Sequence, residues 1–334
     1  MSRPEHGSVG GRRPVILVVV LAVLLLLIGV PLAVFVLRQA QNTGQNGPAG
    51  QATRGSGQQP SPTPLLWGMW IKDADGKPDP NPVIANREAA LGHRLDVFHW
   101  YETWDSGWSR VGTRVETIAT ADRIPMITWE AFDRPPARIA KGDYDSYIDT
   151  WAQGAASKKP HELWIRIFHE FNDPQTGGGG YPWSIDANSA ADLIRAWKHV
   201  HDRFVAAGAD NVKWVWNPDG ANQDKIQAGF PGDQYVDYTG WDTYGYDNMK
   251  AYDLVASISK KPMVIGEFGP ESAQGTQLRE FTGQIASGVY PRLHAVVYFD
   301  EGQYSIAKNP SFRDSLRQML ASPNFKQASS PAPS

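Results

Sequence analysis

The sequence has no cysteine. That excludes disulfide scaffolds, thiolate zinc sites, cysteine nucleophiles and iron–sulfur clusters. Charge of one sign is also scarce, with 32 Lys+Arg against 35 Asp+Glu and a formal net charge of −3. A protein that neutralises phosphates needs a basic surface, so no nucleic-acid partner is expected. No H-E-x-x-H pair or other ligand cluster occurs, so neither a metal nor a cofactor is implied. A G-x-S-x-G elbow is missing, which weakens a serine esterase. The Gly-rich TGGGG at 176–180 lacks the lysine of a phosphate loop and reads as a mobile rim loop. What remains is a chain with 41% hydrophobic and 20% charged residues, enough apolar side chains for a packed core.

Aromatic residues are abundant, with 13 Trp, 12 Tyr and 12 Phe, and every Trp lies at or beyond residue 67. The chain therefore divides. Residues 1–13 carry Arg3, Arg12 and Arg13. Pro14 to Leu37 is an uncharged apolar run with no polar stripe. It is long enough to cross the hydrocarbon core, which takes about 20 residues. The arginines before it predict a cytoplasmic N-terminus, a single-pass anchor in the cell membrane and an outward-facing C-terminal domain. The alternative is a cleaved signal peptide and a secreted domain, but such peptides carry apolar regions of about 7–15 residues. Residues 38–64 are rich in Gln, Gly, Pro, Ser and Thr and lack large apolar side chains after Leu37, so they read as a flexible linker. A domain is expected over 65–322, as a monomer, and a disordered tail over 323–334.

Within the domain, short β-branched and aromatic runs recur: LLWGMWI (65–71), LDVFHWY (95–101), IPMITWE (124–130), LWIRIFHE (163–170), VKWVWNP (212–218), VDYTGWD (236–242), KPMVIGE (261–267) and LHAVVYF (293–299). Each reads as a strand buried on both faces. Helical spacing fills several intervals: Leu193, Trp197, Val200 and Phe204; Leu278, Phe281 and Ile285; Phe312, Leu316 and Met319. The 221–230 interval is weak. Eight strand–helix units of this size predict an α/β fold of the (β/α)8 TIM-barrel type. A doubly wound sheet is the rival, but its Gly-rich phosphate turn is absent after the first strand.

A barrel places chemistry where strands end. The fourth run ends in Arg166, His169 and Glu170, followed by Asn172, and the seventh ends in Glu267. Alternation puts Arg166 and Glu170 on one face, and Glu267 on one face with Met263 and Ile265. If those faces point inward, the two glutamates meet at the mouth. An arginine in an apolar strand then needs a carboxylate partner. Paired carboxylates walled by aromatics suit glycosidic bond cleavage, one protonating the leaving oxygen and the other attacking carbon or activating water. Trp100, Trp129 and Trp216 sit at strand ends, and about half of the strand-end tryptophans are expected to line a cleft. Asp242 either hydrogen-bonds sugar or caps a loop.

These residues resemble a known family. The pattern Arg166-Ile-Phe-His169-Glu170-Phe-Asn172 is similar to that of family 26 glycoside hydrolases, the β-mannanase type of the retaining (β/α)8 clan. VIGEFG around Glu267 and WDTY from Trp241 to Tyr244 fit the same family. The resemblance implies that Glu170 is the general acid/base and Glu267 the nucleophile. It implies that His169 orients the site, Tyr244 holds Glu267 and Trp183 stacks on sugar. The implied partner is a polysaccharide, β-1,4-mannan foremost, with β-1,3/1,4-glucan and β-1,3-xylan as rivals. A membrane-anchored barrel that binds glycan without cleaving it is the non-enzymatic reading. Two departures stand out. DPQTGGGGYPWS replaces an aromatic cluster after the acid, and Phe299-Asp300 stands where a strand-eight tryptophan is expected.

Overall fold

The computed structural model of the protein describes residues 64–173, 180–244, 250–269 and 275–326. The expected membrane helix at 14–37, the linker up to residue 63, most of the TGGGG loop and the tail from 327 lie outside the described residues. Among the described residues, no helix is long and apolar enough to cross a membrane.

All eight sequence runs form strands: β1 (Leu66–Ile71), β2 (Val97–Thr103), β3 (Ile124–Glu130), β4 (Leu163–Ile167), β5 (Val212–Trp216), β6 (Tyr238–Thr243), β7 (Met263–Phe268) and β8 (Leu293–Asp300). They pair in parallel and in chain order into a closed barrel. Closure is made by β8 on β1, from Leu66 opposite Ala295 to Ile71 opposite Asp300. The helices are α1 (Asn81–Leu91), α2 (Trp108–Ala119), α3 (Pro136–Ile139), α4 (Asp145–Ala156), α5 (Ala190–Ala206), α6 (Lys250–Ile258), α7 (Gly275–Ser287) and α8 (Pro310–Leu320). In α5 the side chains at helical spacing, Leu193, Trp197, Val200 and Phe204, are the buried ones. Ser189 caps that helix by accepting from the Asp192 amide at 3.0 Å. The weak 221–230 interval forms a 3-10 turn over Gln223–Gly229 instead of an α-helix.

Two layers of side chains result. One buried cluster contains Val97, Met126, Trp164, Val215, Val264, Ala295 and Val297, with Leu66, Ile124 and Tyr238 packed against it. It draws on all eight strands and on no helix, so it fills the lower barrel interior. The larger cluster joins the outer strand faces to the helices.

Two sequence boundaries move. The fourth strand ends at Ile167, not at Glu170, because Phe168 and Glu170 take φ of +51 and +50. The ordered domain runs past residue 322: Phe325 is buried and bridges to Leu65, whose amide donates to Asn324 O at 2.7 Å. Phe325 thus ties residues 324–326 to the residue that precedes β1.

Candidate active site

Four strands carry a tryptophan followed by a polar or phenolic residue: Trp100-Tyr101, Trp129-Glu130, Trp216-Asn217 and Trp241-Asp242. Alternation sends the two members of each pair to opposite faces. The tryptophans go outward. Trp100 lies under the Arg114 guanidinium of α2 at 5.0 Å. Trp129 stacks on Trp151 of α4 at 4.4 Å. Trp216 donates to Gly229 O at 3.0 Å, and Trp241 meets Tyr252 of α6 at 6.0 Å. All four are fully buried. The expectation that Trp100, Trp129 and Trp216 line a sugar cleft is therefore corrected: they weld barrel to helices. Their neighbours are the residues that enter the mouth.

At the centre of that mouth is Arg166, fully buried. Its Nε donates to Thr128 Oγ1 at 2.7 Å and its Nη1 to both Asp242 oxygens at 2.8 and 2.9 Å. Its Nη2 donates to Glu267 Oε1. Burial works against the guanidinium charge, and Asp242 and Glu267 more than offset it, so the group stays cationic. Asp242 has no exposed surface and serves this ion pair, neither sugar nor a loop cap.

Glu267 reaches the interior by a route that simple alternation misses. Val264 belongs to the inner cluster, whereas Met263 and Ile265 face the helices. The inward face is thus not the one shared with Met263 and Ile265. Between β6 and β7 the register passes from Trp241–Ile265 to Asp242–Glu267, so Gly266 is an extra residue. This bulge turns Glu267 inward. Gly266 is required there, since a Cβ would lie 2.1 Å from Asn217 Oδ1 and 2.8 Å from Arg166 Nη1. Tyr244 donates to Glu267 Oε2 at 2.5 Å, and Tyr101 donates to Oε1.

Glu170 arrives by backbone strain rather than strand parity. A left-handed conformation at a non-glycine residue costs about 1–3 kcal/mol, and Phe168 and Glu170 both adopt it. The Glu170 amide is held by Asn217 O at 2.9 Å. Its half-buried carboxyl is pushed well above the usual range by burial, then by the charges of Asp242, Glu267 and Asp219. Those surroundings favour its protonated form, next to the carboxyl group that Arg166 holds.

Around this pair, His169 is buried with both ring nitrogens unpartnered. Burial and Arg166 lower its pKa, so it is neutral. Asn172 is a brace: it accepts from the Asp219 amide at 2.8 Å and donates to Asp219 O at 2.8 Å. Trp183 is 1% exposed, donates to His169 O at 2.8 Å and lies flat under Tyr181, 4.6 Å away at 8°. It therefore offers no free face to sugar, which corrects that expectation. The half-buried Tyr181 covers it. Tyr181 was not singled out from sequence, and Tyr101 stood out only as a strand-end aromatic with no role, although it shares the inward face with Val97 and His99. Phe299, which stands where a strand-eight tryptophan is expected, stacks on Trp70 of β1 at 4.2 Å. Among the described residues, no three His, Asp or Glu side chains are grouped to hold a metal ion.

The sequence model of Glycosyl hydrolase family 26 matches residues 107–289. Endoglucanase H of Acetivibrio thermocellus is 31% identical over 266 residues, covering 72% of this chain and 28% of that protein. Mannan endo-1,4-beta-mannosidase A and B of Caldalkalibacillus mannanilyticus is 30% identical over 142 residues, covering 40% of this chain and 26% of that protein. The chain thus spans little more than a quarter of either relative. In fold, it is similar to the YdhT protein from Bacillus subtilis, with a TM-score of 0.62 at 16% identity over 80% of this chain and 88% of that one.

Proposed function

The chain belongs to glycosyl hydrolase family 26, and on that premise we propose that it is a retaining endo-β-glycanase, acting foremost on β-1,4-mannan. One observation carries this reading: two carboxyl groups at one barrel mouth sit in opposite surroundings. Glu170 keeps its proton through burial and neighbouring negative charge, while Glu267 accepts hydrogen bonds from Arg166, Tyr101 and Tyr244. In the first step Glu170 gives its proton to the glycosidic oxygen as Glu267 attacks the anomeric carbon. The old C–O bond breaks and a glycosyl ester forms. In the second step Glu170 takes a proton from water, the water oxygen attacks the same carbon, and the ester bond breaks. Two inversions leave a β-configured end.

The test is turnover of β-mannan, lichenan and β-1,3-xylan by the full chain, with the first-formed anomer read by NMR. Release of β-anomer supports the mechanism; α-anomer overturns it. A second reading, β-glucan as substrate, is favoured by the 72% of this chain that matches a relative named for endoglucanase. The same panel decides between them.

We infer further that residues 14–37 anchor the chain in a lipid bilayer with the barrel outside. The uncharged apolar run preceded by arginines supports this. Retention in the membrane fraction through an alkaline wash is expected, and release of the whole chain would overturn it.

A further inference from the structure

The carboxylate of Glu267 has about four acceptor sites, two on each oxygen. Three are occupied. Arg166 Nη2 and Tyr101 Oη both donate to Oε1, and Tyr244 Oη donates to Oε2. The remaining site is on Oε2. Tyr244 follows β6, the neighbour of β7, so its approach is local. Tyr101 comes from β2, three strands away around the ring, and reaches over the mouth to the same carboxylate. Its ring is wedged edge-on against Trp70 at 5.5 Å and lies 4.7 Å from His99 and 6.0 Å from His169. Burial and the Glu267 charge keep the phenol protonated, so it is a permanent donor.

Resting on the family reading above, the geometry points to Tyr101 as a positioning residue: with Arg166 it saturates Oε1, so that Oε2 presents its free lone pair to the anomeric carbon. A carboxylate held by Arg166 and Tyr244 alone has a free site on each oxygen and can rotate to offer either. Tyr101 removes that choice from across the barrel.

The test is Tyr101→Phe in the full chain, which keeps the ring and removes one donor. Expected is a kcat about tenfold lower or more, as for a lost hydrogen bond to a charged group, with KM changed less than about twofold. A donor favours the ionised form of a carboxylate. The acid limb of the pH–rate profile therefore moves to higher pH in Tyr101→Phe. A purely structural role would leave that limb in place. Incorporating 2,3-difluorotyrosine at position 101 keeps the shape and strengthens the donor, so the limb should move to lower pH even if the Phe variant fails to fold. Wild-type kcat in Tyr101→Phe, or a limb that moves in neither variant, overturns the assignment. Glu267→Ala run in parallel separates the two layers of argument. If it is inactive while position 101 has no effect, only the role of Tyr101 falls. If it retains turnover, the nucleophile falls and Tyr101 with it.

Discussion

The lower and upper halves of the barrel interior are built on the same inward-facing strand positions yet differ in kind. Two residues along each strand, Val97 gives way to His99, Met126 to Thr128, Trp164 to Arg166 and Val215 to Asn217. Below, the side chains only fill space, and each buried apolar group stabilises by about 1.5–3 kcal/mol. Above, these four groups are polar, and burial costs free energy unless a partner answers it. Arg166 is answered by Asp242, Glu267 and Thr128. The comparison teaches that the lower layer carries stability and the upper layer spends some of it to hold the Glu267 side chain in one orientation. Substitutions in the two layers should therefore separate folding from turnover.

The largest effect should come from Glu267→Ala, measured as released reducing ends on the preferred glycan. Loss of a nucleophile is expected to lower kcat by roughly four orders of magnitude or more. Unchanged turnover would remove Glu267 from the mechanism. Next comes Asp242→Ala, which leaves the Arg166 charge buried with one partner fewer. Breaking such a pair costs about 3–5 kcal/mol, readable as a lower melting temperature. The triple variant Arg166→Met, Asp242→Leu, Glu267→Met removes the whole buried triad, so it should recover much of the stability and none of the activity, because apolar side chains of similar volume replace buried ion pairs nearly without penalty. Comparable or smaller is Met126→Ala in the lower layer, at about 2–5 kcal/mol for the cavity left. Its pH–rate profile should keep the wild-type shape. A displaced profile would mean that the layers are not independent.

How much of this was legible beforehand follows the same division. The strands and the helices α5, α7 and α8 could be read because their signals are local: β-branched and aromatic runs, and apolar residues at steps of three and four. The pairing of Glu170 with Glu267 was also readable, from the strand-end rule. The route by which each arrives was not. Alternation cannot announce that Gly266 is an extra residue, because a bulge is a relation between two strands. Nor does it announce that Phe168 and Glu170 leave the β region, a conformation imposed by surroundings that bring Asn217 O to the Glu170 amide. The tryptophans misled for a related reason. Period two says that Trp100 and Tyr101 face opposite ways, but not which face is inside. The buried Arg166, with Thr128 and Asp242 as partners from other strands, is what fixes that choice.

The smallest effect isolates Glu170 from the layer around it. Its folded-state carboxyl is raised by burial first and by the charges of Asp242, Glu267 and Asp219 next. Below the ordinary glutamate value, about 4.3, the group is protonated in both folded and unfolded chains and its contribution to stability is complete. As pH rises, the unfolded chain ionises first, and the contribution is lost progressively until the raised folded value is passed. Glu170→Gln has the same shape and cannot ionise, so it keeps what wild type loses. The two proteins should melt together near pH 4. The Gln variant should melt higher at pH 8, each kcal/mol being worth about 2–4 °C in a domain of this size. Turnover of unactivated polysaccharide should fall at both pH values, since Gln has no proton to give. If wild type melts higher at pH 8, Glu170 is stabilised as an anion, and the acid in this mouth must be sought elsewhere.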